Sequence, residues 1–584
     1  MKTLSNYDKH PFTQIHGMSD QAWEGYDSIL DEIYRKIKAI GKKRIIIAVD
    51  CYHGVRETEI EKAFKKLNLK KTYHTSTSNY SNDKIFSMLE RFITDDRVFG
   101  LLSHHEISEF FNPLKIDKIR DEVDNVNGGI ILIIGVGASL LYKADILIYA
   151  DMARWEIQQR MRTLEIGNWC ADNKDEDFLR KYKRAYFIDW RVLDRHKKSL
   201  FEKFDYLLDT NISNKSKMIT GEAFREGLRQ VVKRPFRVVP LFDPAPWGGK
   251  WMQKVCDLDK NIDNFGWCFD CIPEENSLYL KYGNISVEIP SLNLVLYQPE
   301  SLLGEKVFAR FGAEFPIRFD FLDTMGGGNL SLQVHPLTGY IQEKFGMHYT
   351  QDESYYILDA ENDATVYLGL KNCREPDKMI AELKKAEKGE MTFDAEKYVN
   401  KWPAKKHDHF LIPAGTVHCS GKNSMVLEIS STPYIFTFKL CDWGRLGLDG
   451  LPRPVHINHG KNVIRWGRKS NWITQSCINQ IKIIDKGDGF VQEKTGLHDL
   501  EFIETRRHWF TKKVHHNTMG IVNVLNLIEG RQALVESPSN AFEPFLVHYA
   551  ETFIIPANVG EYTIAPHGES EGKKLGTIKA YIRT

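Results

Sequence analysis

Four side chains near the middle of the chain have the types and the order of a divalent-metal shell. Gln333 and His335 lie in LSLQVHP, Glu353 opens the run ESYYIL, and His418 follows the turn Pro413-Ala414-Gly415-Thr416 in HFLIPAGTVH. Side chains alternate along a strand, so Gln333 and His335 point to one face. An amide oxygen, two imidazoles and a carboxylate suit zinc, and manganese, iron or cobalt would also accept them. A single histidine at a strand end is commonly an ordinary core or surface residue. Four suitable residues in this order are harder to assemble by accident. An ion held there would act as a Lewis acid on a carbonyl oxygen and stabilise the negative charge that develops on it.

The pair QVHP and IPAGTVH resembles the type I mannose-6-phosphate isomerases, zinc enzymes built from cupin β-barrels, and the similarity runs over roughly residues 236–584. The resemblance implies that Gln333, His335, Glu353 and His418 ligate Zn2+. It also implies interconversion of mannose 6-phosphate and fructose 6-phosphate, or of a closely related sugar, through an enediolate. PWGGKW (residues 246–251) is similar to the opening signature of the short bacterial form. By the same match Arg445, in CDWGR, takes the place of the catalytic arginine, with Asp442 as the neighbouring carboxylate. Asp442 and His348 are the candidates for the general base.

Two departures bear on the substrate. The family lysine just before the glutamate ligand is Gln351 here, and a second lysine, in the strand before Gln333, is Asp320. Phosphate recognition leans on such cations. Lys439, His348 or Arg453 must replace them, or the substrate is not a hexose 6-phosphate, or catalysis has been lost.

The elements that would carry these residues read as several domains. Residues 1–235 alternate helix and apolar strand: a helix over Ser19–Ile40, strands at Arg44–Asp50, Ile130–Ile134, Ile146–Tyr149 and Tyr186–Ile188, and helices at Glu57–Leu67 and Asp83–Ile93. That repetition predicts an α/β domain with a mostly parallel sheet. Its layout resembles, by order more than by motif, a uridine-kinase-like P-loop domain. The phosphate-binding loop is missing, because AVDCYHGVRETEI holds only Gly54, with no lysine directly after it and with Glu57 and Glu59 nearby. Arg154, Arg160 and Arg162 stand where such kinases carry a lid, or else form a solvated helix face.

A proline-rich join at residues 234–246 leads to an all-β half. Strands at Ser277–Leu280, Ile285–Ile289, Leu294–Tyr297 and Ile317–Phe321 read as a cupin barrel or jelly roll over residues 236–475, with the charged helix Asp377–Lys388 inserted. Residues 476–584 read as a second cupin-like domain. ETFIIPANVGEYTI there echoes HFLIPAGTVH without the histidine, which predicts a metal-free partner.

At 584 residues the chain is too long for one core. A net charge of +1 gives no argument for nucleic acid or an anionic membrane, and the polar start MKTLSNYDKH is no signal peptide. Nine scattered cysteines fit a reducing cytoplasm, and Cys268 and Cys271 read as two thiols near a strand. The partner expected is a small sugar phosphate, with the oligomeric state open. Besides the isomerase, two functions compete: a sugar-binding regulator whose catalysis has decayed, and a metal oxygenase using His407 and His409 as a His-x-His pair.

Overall fold

In RIIIAVDC five consecutive residues are apolar and four of them are β-branched, and a strand buried on both faces demands that pattern. The computed structural model, which describes residues 5–372, 375–431, 434 and 436–584, folds it as the strand Arg44–Cys51, buried from Ile45 onward. The strand pairs in parallel with Gly129–Gly135 on one side and Ile146–Asp151 on the other. Leu69–His74 and Tyr206–Asp209 extend the parallel set outward, and Lys217–Thr220 and Ala22–Glu24 add an antiparallel edge. Ile47, Val49, Leu132, Ile134, Ile146 and Ile148 form the core with Ile29, Leu30 and Ile33 of the helix Tyr26–Ile40.

Three sequence expectations need correction here. The first helix begins at Tyr26, not Ser19, because Gly25 (φ 82°) breaks the chain and Ala22–Glu24 pairs with Lys217–Thr220. Tyr186–Ile188 is no strand. It lies in a π turn, Ala185–Asp189, inside a continuous helical stretch from Phe178 to Leu200, fully buried. Leu294–Tyr297 belongs to the helix Leu292–Tyr297. Short apolar runs do not separate buried helix from buried strand.

Arg154 and Arg160 are not on a solvated face either; each is 2% exposed. Arg154 pairs with Asp194, while Arg160 pairs with Glu156 (2.9 Å) and donates to the carbonyls of Gly54, Thr210 and Asn211. A Cβ on Gly54 would meet the side chains of Ile166, Ile157 and Met152 at 3.2–3.3 Å, so packed side chains surround the loop after the first long strand.

The chain forms two compact units, and each borrows from the other's stretch of sequence. One comprises residues 12–231 and 277–297; the other comprises residues 1–11, 232–276 and 298–584. In the first, Phe12–Ile15 pairs in parallel with Ser277–Tyr282, which turns back on Ile285–Pro290. These two strands therefore do not join the barrel sheets with which the sequence grouped them.

Among the described residues, the other unit holds four antiparallel sheets. The first contains His409–Ile412, Asp352–Ala360, Ser424–Ser431, Arg318–Asp323, Trp267–Cys271 and Leu241–Asp243 in that order. The second contains Val399–Pro403, Thr365–Leu370, His418–Ser420, Leu332–Val334 and Phe438–Cys441. Two further sheets, of six and four strands, are built from residues 482–582 around Phe510, Leu525, Val535, Phe553 and Ile564. Pro376–Glu387 is helical, as its charge pattern predicts, and Cys268 and Cys271 are buried free thiols on a strand. No helix among the described residues is long and apolar enough to cross a membrane.

Candidate metal centre

Gln333 and His418 face each other across neighbouring antiparallel strands. Glu353 sits second in the strand Asp352–Ala360, between Ile412 and Ser430 of its neighbours. His335 follows the end of Leu332–Val334 and is fixed to the His418 turn by its backbone, whose carbonyl accepts from Gly415 N–H at 3.0 Å. Gly415 has φ +90°, and a Cβ there would lie 2.8–2.9 Å from Arg465, Leu337 and the Val463 carbonyl. Arg468 clamps the same turn by donating to the carbonyls of Pro413 and Ala414 at 2.6 and 2.7 Å. Gly415→Ala is expected to cost about 1–3 kcal/mol in stability and to lower metal occupancy; denaturant unfolding and elemental analysis of the variant check both.

The sequence-chosen set converges. Glu353 Oε2 lies 3.0 Å from His335 Nε2, and Oε1 lies 2.7 Å from His418 Nε2. The Gln333 amide is 3.2 Å from His418 Nε2, and turning that amide over presents its oxygen instead. Each imidazole uses Nδ1–H on a backbone carbonyl at 2.9 Å, His335 on Phe436 and His418 on Thr416. That fixes the tautomer and leaves both Nε2 lone pairs directed inward. His335 Nε2 and Glu353 Oε1 are buried without a hydrogen bond of sound geometry despite their close neighbours. Groups that approach one another without bonding fit a shared central cation, and the donor types suit zinc. His335, Glu353 and His418 are each 0% exposed.

The strands beside Glu353 carry a polar lining. Register places Arg318, Ser430 and Glu353 in one cross-strand row and Asp320, Glu428 and Tyr355 in the next. Burial raises Asp320 to about 7, with Arg318 opposing and Glu353 adding to the rise. Burial, then Asp320 and Glu353, push Glu428 well above the carboxylate range. Gln351 donates to Glu353 Oε2 at 2.9 Å, lies 3.5 Å from Glu428 Oε1, and accepts from Phe436 N–H at 3.2 Å. Lys439 stands directly across the ladder from Gln333. Sequence reading missed Glu428 as a member of this group; its signal was one acid inside the apolar strand Ser424–Ser431.

Among the described residues, the group of His, Cys, Asp and Glu that gathers is His335, Glu353 and His418, without Asp442 or His348. Asp442 sits between two guanidiniums: Arg445 Nη2 at 2.5 Å on Oδ1, and Arg453 against Oδ2. His348 lines a separate cleft with Arg310 and Glu501. His407 and His409 do not form a ligand pair. His409 Nε2 bonds Ser354 Oγ at 2.8 Å, whereas His407 meets Tyr356 OH at 3.0 Å and Glu529 at 3.2 Å.

Residues 25–233 match the family described as Domain of unknown function (DUF8485). A mannose-6-phosphate isomerase of Streptococcus mutans is 27% identical over 229 residues, 38% of this chain and 66% of the relative. Mannose-6-phosphate isomerase ManA of Bacillus subtilis is 28% identical over 153 residues, 26% of this chain and 45% of that protein. The chain thus spans just under two thirds and under half, respectively, of these two relatives. The crystal structure of the Bacillus subtilis mannose 6-phosphate isomerase aligns with a TM-score of 0.49 at 18% identity, over 60% of this chain and 99% of that one. The Bacillus subtilis protein named Probable mannose-6-phosphate isomerase GmuF is 30% identical over 232 residues, 39% of this chain and 68% of its own length. Over that part of its length, the chain belongs to the mannose-6-phosphate isomerase family.

Proposed function

We propose that the chain is a metal-dependent aldose–ketose isomerase of the cupin type, acting on mannose and fructose 6-phosphates or a closely related sugar. The observation that carries this reading is the inward convergence of Gln333, His335, Glu353 and His418, with both imidazole tautomers fixed from behind. These four would hold zinc, whose contribution when bound is Lewis-acid stabilisation of the oxygen that becomes negative as a proton leaves the neighbouring carbon.

The remaining work falls to the chain's own groups. The proton must leave one carbon and return to the next, so a carboxyl that can both accept and donate is required. We assign this to the Asp320–Glu428 pair, buried on adjacent strands beside Glu353. Asp442 is better suited to holding Arg445, and that guanidinium supplies a permanent cation. Gln351 orients Glu353 by donating to its Oε2. Lys439, opposite Gln333, is the cation we assign to substrate oxygens in place of the absent family lysines.

Replacing two cations by Gln351 and Asp320 favours a substrate that leans less on phosphate. The test is turnover on paired free and phosphorylated sugars with the metal content measured in parallel. The expected result is stoichiometric zinc and isomerisation, with phosphorylated mannose preferred over free mannose by no more than about tenfold. A second reading, a sugar-binding regulator without catalysis, is favoured by the same two substitutions; metal and sugar binding with no turnover on any pair would establish it.

A further inference from the structure

The six-stranded sheet of residues 482–582 repeats the one that carries Glu353. From edge to edge it runs Lys482–Gly487, Phe490–Gly496, Ile503–Phe510, Leu575–Ile582, Asn523–Glu529 and Thr552–Ile555. In chain order these strands take the same places as the strands of the sheet between Leu241–Asp243 and His409–Ile412. The registers agree as well: Asn523 lies opposite Ile555, just ahead of Pro556, as Glu353 lies opposite Ile412, just ahead of Pro413. The ligand shell is not repeated. His516 stands across from Tyr562, as Gln333 does from His418, and Tyr562 donates to Asn523 Oδ1 at 3.0 Å. The rings of His508 and His516 meet at 4.7 Å, and His516 stacks on Tyr562 at 5.0 Å.

The next row inverts the charge. In the first barrel Asp320 faces Glu428, which faces Tyr355 in turn. The matching positions hold Arg506, Lys579 and Leu525, and Lys494 extends the row on the far side of Arg506. Residues directly opposite one another share a face. This face is the inner one, because Leu525 belongs to the core, as do Phe510 and Leu575 on the same faces of their strands.

Like charges placed opposite one another are destabilising. Glu504 answers Arg506, accepting from its Nε at 2.7 Å and from Tyr581 OH at 2.6 Å, and lies 3.8 Å from Lys494. Lys494 also reaches Asp499 at 3.5 Å, an acid it shares with Arg583. Lys579 has no such answer. It is 7% exposed, and its ammonium meets the Tyr581 ring at 5.7 Å but no hydrogen-bond acceptor among the described residues. Burial and then Arg506 push it down to about 8. A buried cation without an acceptor is costly, and an anion would complete it. The side chains of Lys494 and Arg506 are 31% and 33% exposed, so the row opens to solvent on their side. A phosphate group, with a charge of about −1.5 to −2 at neutral pH and three acceptor oxygens, can accept from all three cations at once.

We propose that the row Lys494, Arg506 and Lys579 is a second binding site, for a phosphate group, with Lys579 as its anchor. It stands independently of the isomerase reading. The two barrels then hold ligands of opposite charge on the same scaffold.

The test uses the full chain as wild type, Lys579→Met, Arg506→Gln and Lys439→Met. Each is titrated by calorimetry with inorganic phosphate and with sorbitol 6-phosphate, and melted with and without phosphate. Phosphate should bind wild type and Lys439→Met alike, and both Lys579→Met and Arg506→Gln at least about tenfold more weakly. Phosphate should raise the melting temperature of wild type and not that of Lys579→Met. Without phosphate, Lys579→Met should melt no lower than wild type, because methionine removes the unanswered charge; a purely structural lysine would give a lower value. Tighter binding of sorbitol 6-phosphate than of inorganic phosphate would identify a phosphorylated sugar as the ligand, and equal or weaker binding would identify free phosphate; either result supports the site. Unchanged affinity in Lys579→Met or Arg506→Gln, binding lost in Lys439→Met, or no binding of either phosphate overturns the proposal.

Discussion

His418→Ala is expected to abolish both metal retention and isomerisation. The substitution removes one of two imidazoles whose Nε2 lies against Glu353, and leaves that carboxylate buried with a single imidazole beside it. A four-donor site reduced to three loses affinity, and with it the charge stabilisation on the substrate oxygen, which is worth several kcal/mol. Turnover should fall by about 10³-fold or more, with zinc well below one equivalent after dialysis against a weak chelator. His407→Ala should leave metal content unchanged, since His407 bonds Tyr356 and Glu529. A His418→Ala protein that keeps one tightly bound zinc would remove the basis of the proposed mechanism.

The second large effect concerns stability. Arg237 is 5% exposed and lies 2.7 Å from Glu551 and 3.5 Å from Asp270. It also donates to the carbonyls of Asp8 and Thr552 and stacks over Tyr7 at 4.9 Å. Arg237→Ala therefore leaves two carboxylates in the interior without their cation. Breaking a buried pair in this way costs about 3–5 kcal/mol, which should appear as a much lower denaturant midpoint for this unit. Glu551 gives the sign of the pH dependence. Burial raises it, but Arg237, His548 and the Asp8 N–H together outweigh burial and hold it below its ordinary value. Its contribution is thus full above the unfolded carboxyl pKa and disappears as the pH falls through the lower, folded value. The Arg237→Ala protein should show a smaller loss of stability on acidification than wild type.

How much of this was legible in the sequence depended on whether the signal was local. LSLQVHP and IPAGTVH each state a strand, a turn and a ligand in under a dozen residues, and Gly415 is required by the turn itself. The long strand Arg44–Cys51 announced itself through composition. What failed needed register or tertiary context. Glu428 joins Asp320 and Tyr355 only once three strands from distant parts of the chain are aligned. Tyr186–Ile188 and Leu294–Tyr297 are too short for periodicity to separate helix from strand. Arg154 and Arg160 look solvated until Asp194, Glu156 and the Gly54 carbonyl are found beside them.

The exchange of segments between the two units has a consequence for how the protein is made. The strand Phe12–Ile15 emerges from the ribosome early, yet the partner it pairs with, Ser277–Tyr282, is synthesised more than 260 residues later. Domains ordinarily fold as units, the N-terminal one first, but here the leading unit has to wait with an open edge while the opening of its successor is translated. An excised product ending at the proline-rich join would lack that late-arriving hairpin, and should be more prone to aggregate than the full chain.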